Sequence, residues 1–380
     1  MFHNKKEKLP LLKFISEKYC EANLSDTLII ACQHLLGTTY NLFEELFSKG
    51  LKPENVFLLG KCYSTNNKVL KRFIDKSVNV SNLSNAFNSR ISFDRQFHDY
   101  VKRFLRDVRE KTDIKKFNKV IIIDDGGSLL VFANDYFKET NNFVGIEQTT
   151  SGYEKLKNIH LMFPVFNIAR SEAKLEYESP MIAQLVVDKI NSYINIKNIT
   201  NPKILVIGQG YVGQAIFNLL SKNFKDNFVK KCDKLANKCD YAGNYKSKIG
   251  EFDLIIGATG QPALNKNDFG NLKQGVILVS TSSSDREFSA VYLRLLEPKN
   301  SDCHKDYNVN GINLLNSGFP INFDGAEHSL APEKIQLTRA LLLAGIYESL
   351  KIKKDKGIQK LNEKIQKQLV AKFKELIFFA

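Results

Sequence analysis

Short apolar runs alternate with longer amphipathic stretches along the first half of the chain. The β-branched runs predict strands at Thr27–Ala31, Val56–Leu59, Lys119–Ile123, Phe143–Ile146 and Val165–Ile168. The stretches between them repeat apolar residues at three- and four-residue steps, which predicts helices at Thr38–Ser48, Asn67–Asp75 and Phe93–Arg109. Strands that alternate with helices are typical of βαβ units and a parallel sheet.

A second α/β pattern begins after Pro202, which ends the helix predicted at Met181–Ile194. Its predicted elements are strands at Ile204–Ile207, Asn227–Lys231, Leu254–Ile256 and Val276–Val279, with helices at Val212–Lys222 and Glu333–Leu350. We expect an α/β protein with two doubly wound domains. A Rossmann dinucleotide-binding domain (186–327) is inserted into an α/β substrate-binding domain (1–185 and 328–350).

The segment 351–380 is basic, with nine lysines against three acidic residues. Apolar residues recur at helical spacing at Ile358, Leu361, Ile365, Leu369 and Phe373. This predicts a basic amphipathic C-terminal helix that docks on the body of the protein or on another subunit. The same pattern is compatible with contact to a membrane surface or to nucleic acid.

The net charge of +14 changes this picture little. Only ten of the 55 basic residues are Arg, the type that forks onto phosphate and guanine, so we do not expect nucleic-acid binding. No apolar run reaches 18 residues, and Lys13 interrupts the apolar stretch near the N-terminus. We expect a cytoplasmic protein with no membrane span.

The six cysteines occur singly, which indicates free buried thiols and no metal site.

The clearest chemical motif is G-x-G-x-x-G at Gly208, Gly210 and Gly213, directly between a predicted strand and a predicted helix. The first glycine permits a tight turn, the second lets the backbone approach a pyrophosphate, and the third lets helix and strand pack closely. The helix N-terminus then offers N–H groups to phosphates. In this context the motif predicts a dinucleotide site.

The choice between NAD and NADP stays open, although we favour NAD. Asp233 follows the next strand, where an acidic residue normally binds the ribose 2′-hydroxyl. Lys230 and Lys231 lie where they could instead bind the 2′-phosphate of NADP. Thr259, in the loop Gly257–Gly260, is a candidate contact to the nicotinamide half, although the loop could instead be an ordinary turn at a strand end.

Five segments resemble the S-adenosylhomocysteine hydrolase family, in the same order. They are Asp124-Asp125-Gly126-Gly127, Gly145-Ile-Glu-Gln-Thr-Thr-Ser-Gly152, Phe163-Pro-Val-Phe-Asn167 followed by Lys174, the glycine motif, and Asn322. Weaker matches lie at His34 and at Ser64-Thr65, and the similarity spans about Thr27–Leu350.

The resemblance implies an NAD-dependent reaction in which the 3′-hydroxyl of a thioether nucleoside is transiently oxidised, so that the 5′ thiol can leave and water can add. By position, Asp125 would be the base at C4′, Lys174 with Glu178 would act on the 3′-hydroxyl, and His34 would transfer a proton near C5′. The substrate pocket would include Ser64, Thr65, Gln148 and His328. The cofactor would contact Thr149, Thr150, Ser151 and Asn322. The family also implies a homo-oligomer.

Simpler structural explanations exist for three of these residues. Asp125 could belong to a turn that caps the next helix, Lys174 could be a solvated lysine, and His34 could be a core histidine. Several positions also depart from the family. A family Glu is Gln148, a Cys is Ala183 and a His is Ser283. The alternatives are therefore an NAD(P)-dependent oxidoreductase or a catalytically degenerate nucleotide-binding protein.

Overall fold

The computed structural model describes residues 9–137, 141–224, 228–241, 245–351 and 356–378. Its strands are β1 (Thr27–Cys32), β2 (Val56–Leu59), β3 (Asn79–Val80), β4 (Lys119–Asp124), β5 (Phe143–Glu147), β6 (Pro164–Asn167), β7 (Ile204–Ile207), β8 (Val229–Cys232), β9 (Leu254–Gly257), β10 (Val276–Ser280), β11 (Tyr307–Val309), β12 (Ile312–Leu314) and β13 (Gly357–Lys360). Its α-helices are α1 (Pro10–Lys18), α2 (Gly37–Ser48), α3 (Asn67–Asp75), α4 (Phe93–Lys111), α5 (Ser128–Tyr136), α6 (Thr150–Leu156), α7 (Glu172–Ile196), α8 (Tyr211–Asn223), α9 (Ala290–Leu295), α10 (Pro332–Ser349) and α11 (Glu363–Phe378).

The chain divides into two compact units. Unit 1 contains the described parts of Met1–Asn85, His98–Glu178 and Ala326–Ala380, and unit 2 those of Ala86–Phe97 and Ser179–Gly325. Each unit has its own α/β sheet, and most of unit 2 is inserted into the chain of unit 1. The expected fold class, two doubly wound α/β domains with one inserted into the other, is confirmed.

Unit 1 is built on a parallel sheet with the strand order β13-β6-β5-β4-β1-β2-β3. The residues of β1, β2 and β5 are buried throughout, as expected for strands covered on both faces. The chain runs outward from β1 to β3 and then returns to place β4 on the other side of β1. This reversal between β1 and β4 is the switch point at which open α/β sheets bind ligands.

Unit 2 is built on a sheet with the strand order β11-β12-β10-β9-β7-β8, in which only the pair β11–β12 is antiparallel among the described strands. Apolar clusters cover the sheet, and one of them contains residues of α7 and α8. The order reverses between β7 and β9. The glycine motif follows β7, so it lies at the switch point of this sheet.

Residues 86–97 pack within unit 2, although in the sequence they lie between two segments of unit 1, Met1–Asn85 and His98–Glu178. They surround the buried Arg294, which donates to the carbonyl of Ser89 at 2.9 Å and lies 2.6 Å from a carboxylate oxygen of Asp285. The backbone N–H of Phe93 donates to the same carboxylate at 3.1 Å. No sequence motif indicated this segment, since its partners lie about two hundred residues later.

The C-terminal segment differs from its prediction in its first part. Ile358 lies in β13, which pairs in parallel with β6, and the helix begins only at Glu363. Leu369 and Phe373 are buried in unit 1, and the Phe373 ring lies 6.1 Å from that of Tyr177. The segment therefore docks on the body of its own chain, which is one of the two placements expected for it.

The cysteines also differ from expectation. Cys232 and Cys239 form a disulfide, because the chain after β8 turns back so that Asp240 N–H donates to the Lys231 carbonyl at 3.0 Å. Cys20 is exposed, whereas Cys32, Cys62 and Cys303 lie outside this disulfide and are buried, as predicted. No cluster that could hold a metal ion occurs among the described residues. In the same part of the chain, no helix is long and apolar enough to cross a membrane.

Candidate functional site

Four side chains converge at the carboxyl edge of the sheet in unit 1, beside the switch point. His34 follows β1, Lys61 follows β2, Asp125 follows β4 and Gln148 follows β5. Parallel strands all end at the same edge, so residues far apart in the chain meet there. The sequence singled out three of the four, and Lys61 was missed.

Asp125 lies at the centre of this group and is only 3% exposed. One carboxylate oxygen accepts a hydrogen bond from Lys61 Nζ, and the other accepts one from Gln148 Nε2. His34 Nε2 lies 3.2 Å from the oxygen that Gln148 contacts. A single buried carboxylate is thus held by three donors.

These contacts set the charges of the group. Burial alone would raise the pKa of Asp125, but His34 and Lys61 outweigh it and hold that pKa well below its usual range. Burial would lower the pKa of Lys61, but Asp125 outweighs it and the pKa lies above its usual value. Burial lowers the pKa of His34 despite Asp125. At neutral pH the group therefore holds a carboxylate, an ammonium and a neutral imidazole.

His34 also connects Asp125 to a hydroxyl group. Its Nδ1 hydrogen-bonds with Ser64 Oγ, while its Nε2 faces Asp125. Because a carboxylate only accepts, the N–H of the neutral ring lies on Nε2 and Ser64 donates to Nδ1. Thr65, also expected in the substrate pocket, instead donates its hydroxyl to the Lys61 carbonyl at 2.9 Å and so shapes the turn that carries Lys61.

Lys174 and Glu178 extend the site along the first turns of α7. Lys174 Nζ donates to the backbone carbonyl of Gln148 and lies 3.3 Å from Glu178 Oε2. Glu178 also accepts from the Thr338 hydroxyl at 3.0 Å. Gln148 Oε1 is buried and has no hydrogen-bond partner among the described residues, so an acceptor remains available to a ligand.

The motifs Asp124–Gly127 and Glu147–Gly152 fit each other sterically. Glu147 Oε1 accepts from the N–H of Gly126 at 3.2 Å and from the N–H and hydroxyl of Thr149 at 2.7 and 2.6 Å. A Cβ added at Gly152 would lie 2.2 Å from the Glu147 carboxyl carbon, and one added at Gly127 would lie 2.7 Å from the Gly152 Cα. Both glycines are therefore required by close packing.

The predicted cofactor contacts in unit 1 cluster at the start of α6. The Thr149 hydroxyl accepts from the Gly152 N–H at 3.0 Å and caps the helix. Ser151 Oγ lies 3.3 Å from Thr149 Oγ1, and Thr150 is exposed. His328 packs against the first residue of α2, since a Cβ added at Gly37 would meet its ring at 2.2 Å.

The glycine loop of unit 2 has the geometry that each glycine predicts. Gly208 has a φ of +100°, which disfavours residues with a side chain. A Cβ added at Gly213 would lie 1.9 Å from the Gly208 carbonyl oxygen, whereas one at Gly210 would meet no described atom within 4 Å. The loop is thus closed on the protein side and open at Gly210, where a pyrophosphate would approach.

Asp233 is tied to this loop. One of its carboxylate oxygens accepts from the Gln209 N–H at 2.6 Å and the other from the Leu235 N–H at 3.1 Å. Lys231 turns away, with its Nζ 4.8 Å from the centre of the Phe217 ring on α8. The acidic residue therefore lies beside the glycine loop, and one of the two candidate phosphate-binding lysines is engaged elsewhere.

Thr259 follows β9, and Asn322 lies in a loop beside the end of β10. Glu287, which sequence analysis missed, accepts from the Thr259 N–H at 2.9 Å and the Thr259 hydroxyl at 2.8 Å, and so orders this loop. Asn322 follows Ile321, whose N–H donates to the carbonyl of Ser280 at 3.0 Å at the end of β10. The Asn322 Oδ1 is buried and accepts no hydrogen bond within the described part of the chain.

Comparison with known proteins gives relatives at 39% and 25% sequence identity. No protein-family model matches the chain. An uncharacterised protein of Mycobacterium tuberculosis is 39% identical over 331 residues, which are 86% of this chain and 64% of that protein. An adenosylhomocysteinase of Sulfurisphaera tokodaii is 25% identical over 282 residues, 70% of this chain and 64% of that enzyme. The chain thus spans a little under two thirds of the length of these relatives.

Among solved structures, a dipicolinate synthase chain from Bacillus halodurans is similar with a TM-score of 0.45 and 10% identity. The match covers 88% of this chain and 99% of that chain.

Proposed function

We propose that the protein is an adenosylhomocysteinase-like, NAD-dependent hydrolase or lyase. Its substrate would be a thioether nucleoside such as S-adenosylhomocysteine, and the reaction would pass through transient oxidation of the 3′-hydroxyl. The observation that carries the proposal is the buried group of Asp125, His34, Lys61 and Gln148 at the switch point of unit 1. The distant similarity to adenosylhomocysteinases supports the same chemistry.

In this proposal His34 is the proton carrier. A proton released by the substrate would pass through Ser64 Oγ to Nδ1 of His34, which is neutral and can accept it. The adjacent Asp125 would stabilise the resulting imidazolium. The resemblance assigns the base at C4′ to Asp125, but a carboxylate of depressed pKa is a weak base, which favours an orienting and electrostatic role.

Lys174 and Glu178 would act on the ribose hydroxyls. Their ion pair places a donor and an acceptor side by side above the Gln148 backbone. Gln148 Oε1 provides a further acceptor. This arrangement can bind a diol and can move a proton from a hydroxyl to the ion pair, which hydride removal from the same carbon requires.

The residues of unit 2 fit a dinucleotide, and we propose NAD. Bound NAD would supply reversible hydride transfer at the ribose 3′ carbon. The open backbone at Gly210 and the N-terminus of α8 would hold the pyrophosphate, Asp233 would accept from the adenosine ribose, and Asn322 Oδ1 would accept from the nicotinamide amide. The position of Lys231 on Phe217 favours NAD over NADP. As in the family it resembles, we propose that the protein is a homo-oligomer.

The test is to identify the nucleotide that co-purifies with the protein and to measure thiol release from S-adenosylhomocysteine. We expect bound NAD and thiol release. Asp125→Asn and His34→Asn should each slow release by about 100-fold or more without removing NAD. Asp99→Asn, on the exposed face of α4, is the matched control and should leave the rate unchanged. Bound NAD with no thiol release from a panel of thioether nucleosides would contradict the proposal.

One observation favours a second candidate, a nucleotide-binding protein without catalysis. The charge of Lys61 neutralises that of Asp125. Gln148 places an amide where the adenosylhomocysteinase family, which the chain resembles, has a carboxylate. Such a protein would retain its nucleotide and bind nucleosides, but Asp125→Asn would change only affinity. The same two measurements therefore separate the candidates.

A further inference from the structure

Arg339 is a buried cation beside the site, and no motif pointed to it. It lies on α10 and is 4% exposed. Its Nε donates to the Thr38 hydroxyl at 3.3 Å, whereas its Nη1 is buried and has no hydrogen-bond partner among the described residues. Asp125 and Glu178 are close enough to affect its pKa, which burial nevertheless lowers.

The charges around Arg339 do not balance. Lys61 is paired with Asp125, and Lys174 is paired with Glu178. Among the described residues, no carboxylate oxygen lies within 4.0 Å of a guanidinium nitrogen of Arg339, so neither Asp125 nor Glu178 forms a salt bridge with it. The two carboxylates that act on the pKa of Arg339 are thus each paired with a lysine, and Arg339 has no ion-pair partner among the described residues.

A buried guanidinium without a counter-ion is costly, because it loses its hydration and gains no ion pair. Its planar N–H groups match the two oxygens of a carboxylate or the oxygens of a phosphate. Arg339 lies at the ligand-binding edge of a doubly wound sheet, so a ligand can supply the missing anion.

We propose that Arg339 binds an oxyanion of the ligand, so that this site takes nucleosides bearing a carboxylate or a phosphate in preference to neutral ones. The nucleoside part of this statement rests on the proposed function, whereas the anion part rests on Arg339 alone. Thr38 positions the guanidinium through Nε and leaves the Nη groups to the ligand.

The test compares ligands that differ in charge, by calorimetry on the full chain. S-adenosylhomocysteine is paired with methylthioadenosine, which lacks the carboxylate-bearing tail, and adenosine monophosphate is paired with adenosine. The wild type should bind the charged member of at least one pair more tightly. Arg339→Gln should reduce that affinity roughly tenfold or more, while affinity for the neutral member stays within about twofold. The pair that responds identifies carboxylate or phosphate as the anion.

Two variants separate binding from folding. Thr38→Val keeps the volume but frees the guanidinium, and should weaken only the charged ligand, by a few-fold. Arg109→Gln, on the exposed face of α4, makes the same charge change away from the site and should bind like the wild type. Circular dichroism checks that each variant is folded.

The outcomes distinguish this inference from the proposed function. Equal affinities of wild type and folded Arg339→Gln for every charged ligand would overturn the role of Arg339, even if the protein releases thiol. Loss of the anion preference without any thiol release would support Arg339 and contradict the hydrolase. Should no nucleoside bind, titration with inorganic phosphate decides: binding by the wild type that Arg339→Gln loses supports the inference, and its absence refutes it.

Discussion

At the scale of single residues, the Lys61–Asp125 ion pair fixes the charge state of the candidate site. Both side chains are almost completely buried. Each charge is tolerated only because the other is present, since an isolated buried charge has lost its hydration without compensation. Removal of either partner therefore affects both stability and the state of His34.

Lys61→Met is expected to lower the free energy of unfolding by about 3 kcal/mol, because it leaves Asp125 as an unpaired buried carboxylate. The double variant Lys61→Met/Asp125→Asn should lose clearly less than the sum of the two single variants. Urea denaturation measures all three. Lys71→Met, which breaks the exposed pair with Asp75, should cost less than about 1 kcal/mol. Additive losses would show that the two buried charges do not stabilise each other.

Glu147 and Asp124 face each other in register on β5 and β4. Burial raises the pKa of Glu147 to about 8, and repulsion from Asp124 adds to this shift; burial raises the pKa of Asp124 to about 6. The folded protein therefore keeps protons that the unfolded chain releases near pH 4. Their contribution to stability is complete below that pH and is lost as the pH rises through about 6 and then about 8.

Glu147→Gln is expected to flatten the fall in unfolding free energy between about pH 5 and pH 8, because an amide stays neutral at every pH. Denaturation curves at a series of pH values measure this slope. Glu110→Gln, on the exposed end of α4, should keep the wild-type slope. An unchanged slope in Glu147→Gln would mean that Glu147 is ionised throughout this range.

At the scale of secondary structure, most strands were predictable because buried strands are continuous apolar runs. β2 and β7 begin and end at the predicted residues, and β1 and β4 differ by one. Side chains that acquire a role only through distant partners were not predictable. A lysine such as Lys61 is normally exposed, and only Asp125, far along the chain, explains its burial. Arg339 was hidden in the same way within a mostly apolar helix.

The helix α11 offers a test of how the C-terminal segment is held. Phe373 is 1% exposed, whereas Ile377, one turn later, is 44% exposed. Phe373→Ala is expected to lower the free energy of unfolding by about 3 kcal/mol through loss of buried surface and the cavity left behind. Ile377→Ala should cost less than about 1 kcal/mol. Similar small losses in both, measured by urea denaturation, would show that the helix does not stabilise the body.

At the scale of the whole molecule, cofactor affinity should appear as thermal stability. A ligand that binds only the folded state adds about 2.7 kcal/mol at 100 times its dissociation constant. NAD is expected to raise the melting temperature by several degrees and NADP by less, because in the proposed binding mode Asp233, beside the glycine loop, would repel a 2′-phosphate. Gly210→Ala should melt like the wild type without ligand, since its Cβ has open space.

The same variant should lose the response to NAD, because its methyl group would occupy the path of the pyrophosphate. Differential scanning fluorimetry with both dinucleotides measures each shift. A larger shift with NADP, or an undiminished NAD response in Gly210→Ala, would contradict the assignment of this loop.

Unit 1 is formed by chain segments that unit 2 separates, and this has a consequence for the synthesis of the protein. The sheet of unit 1 includes β13, and the proposed anion site includes Arg339 from α10, yet both are translated only after Ser179–Gly325. At ordinary elongation rates this delay is on the order of ten seconds, during which unit 2 can fold on the ribosome. Unit 1 meanwhile exposes the strand edge of β6 and the apolar surface that α10 will cover. The nascent chain is therefore expected to need a chaperone most at this stage.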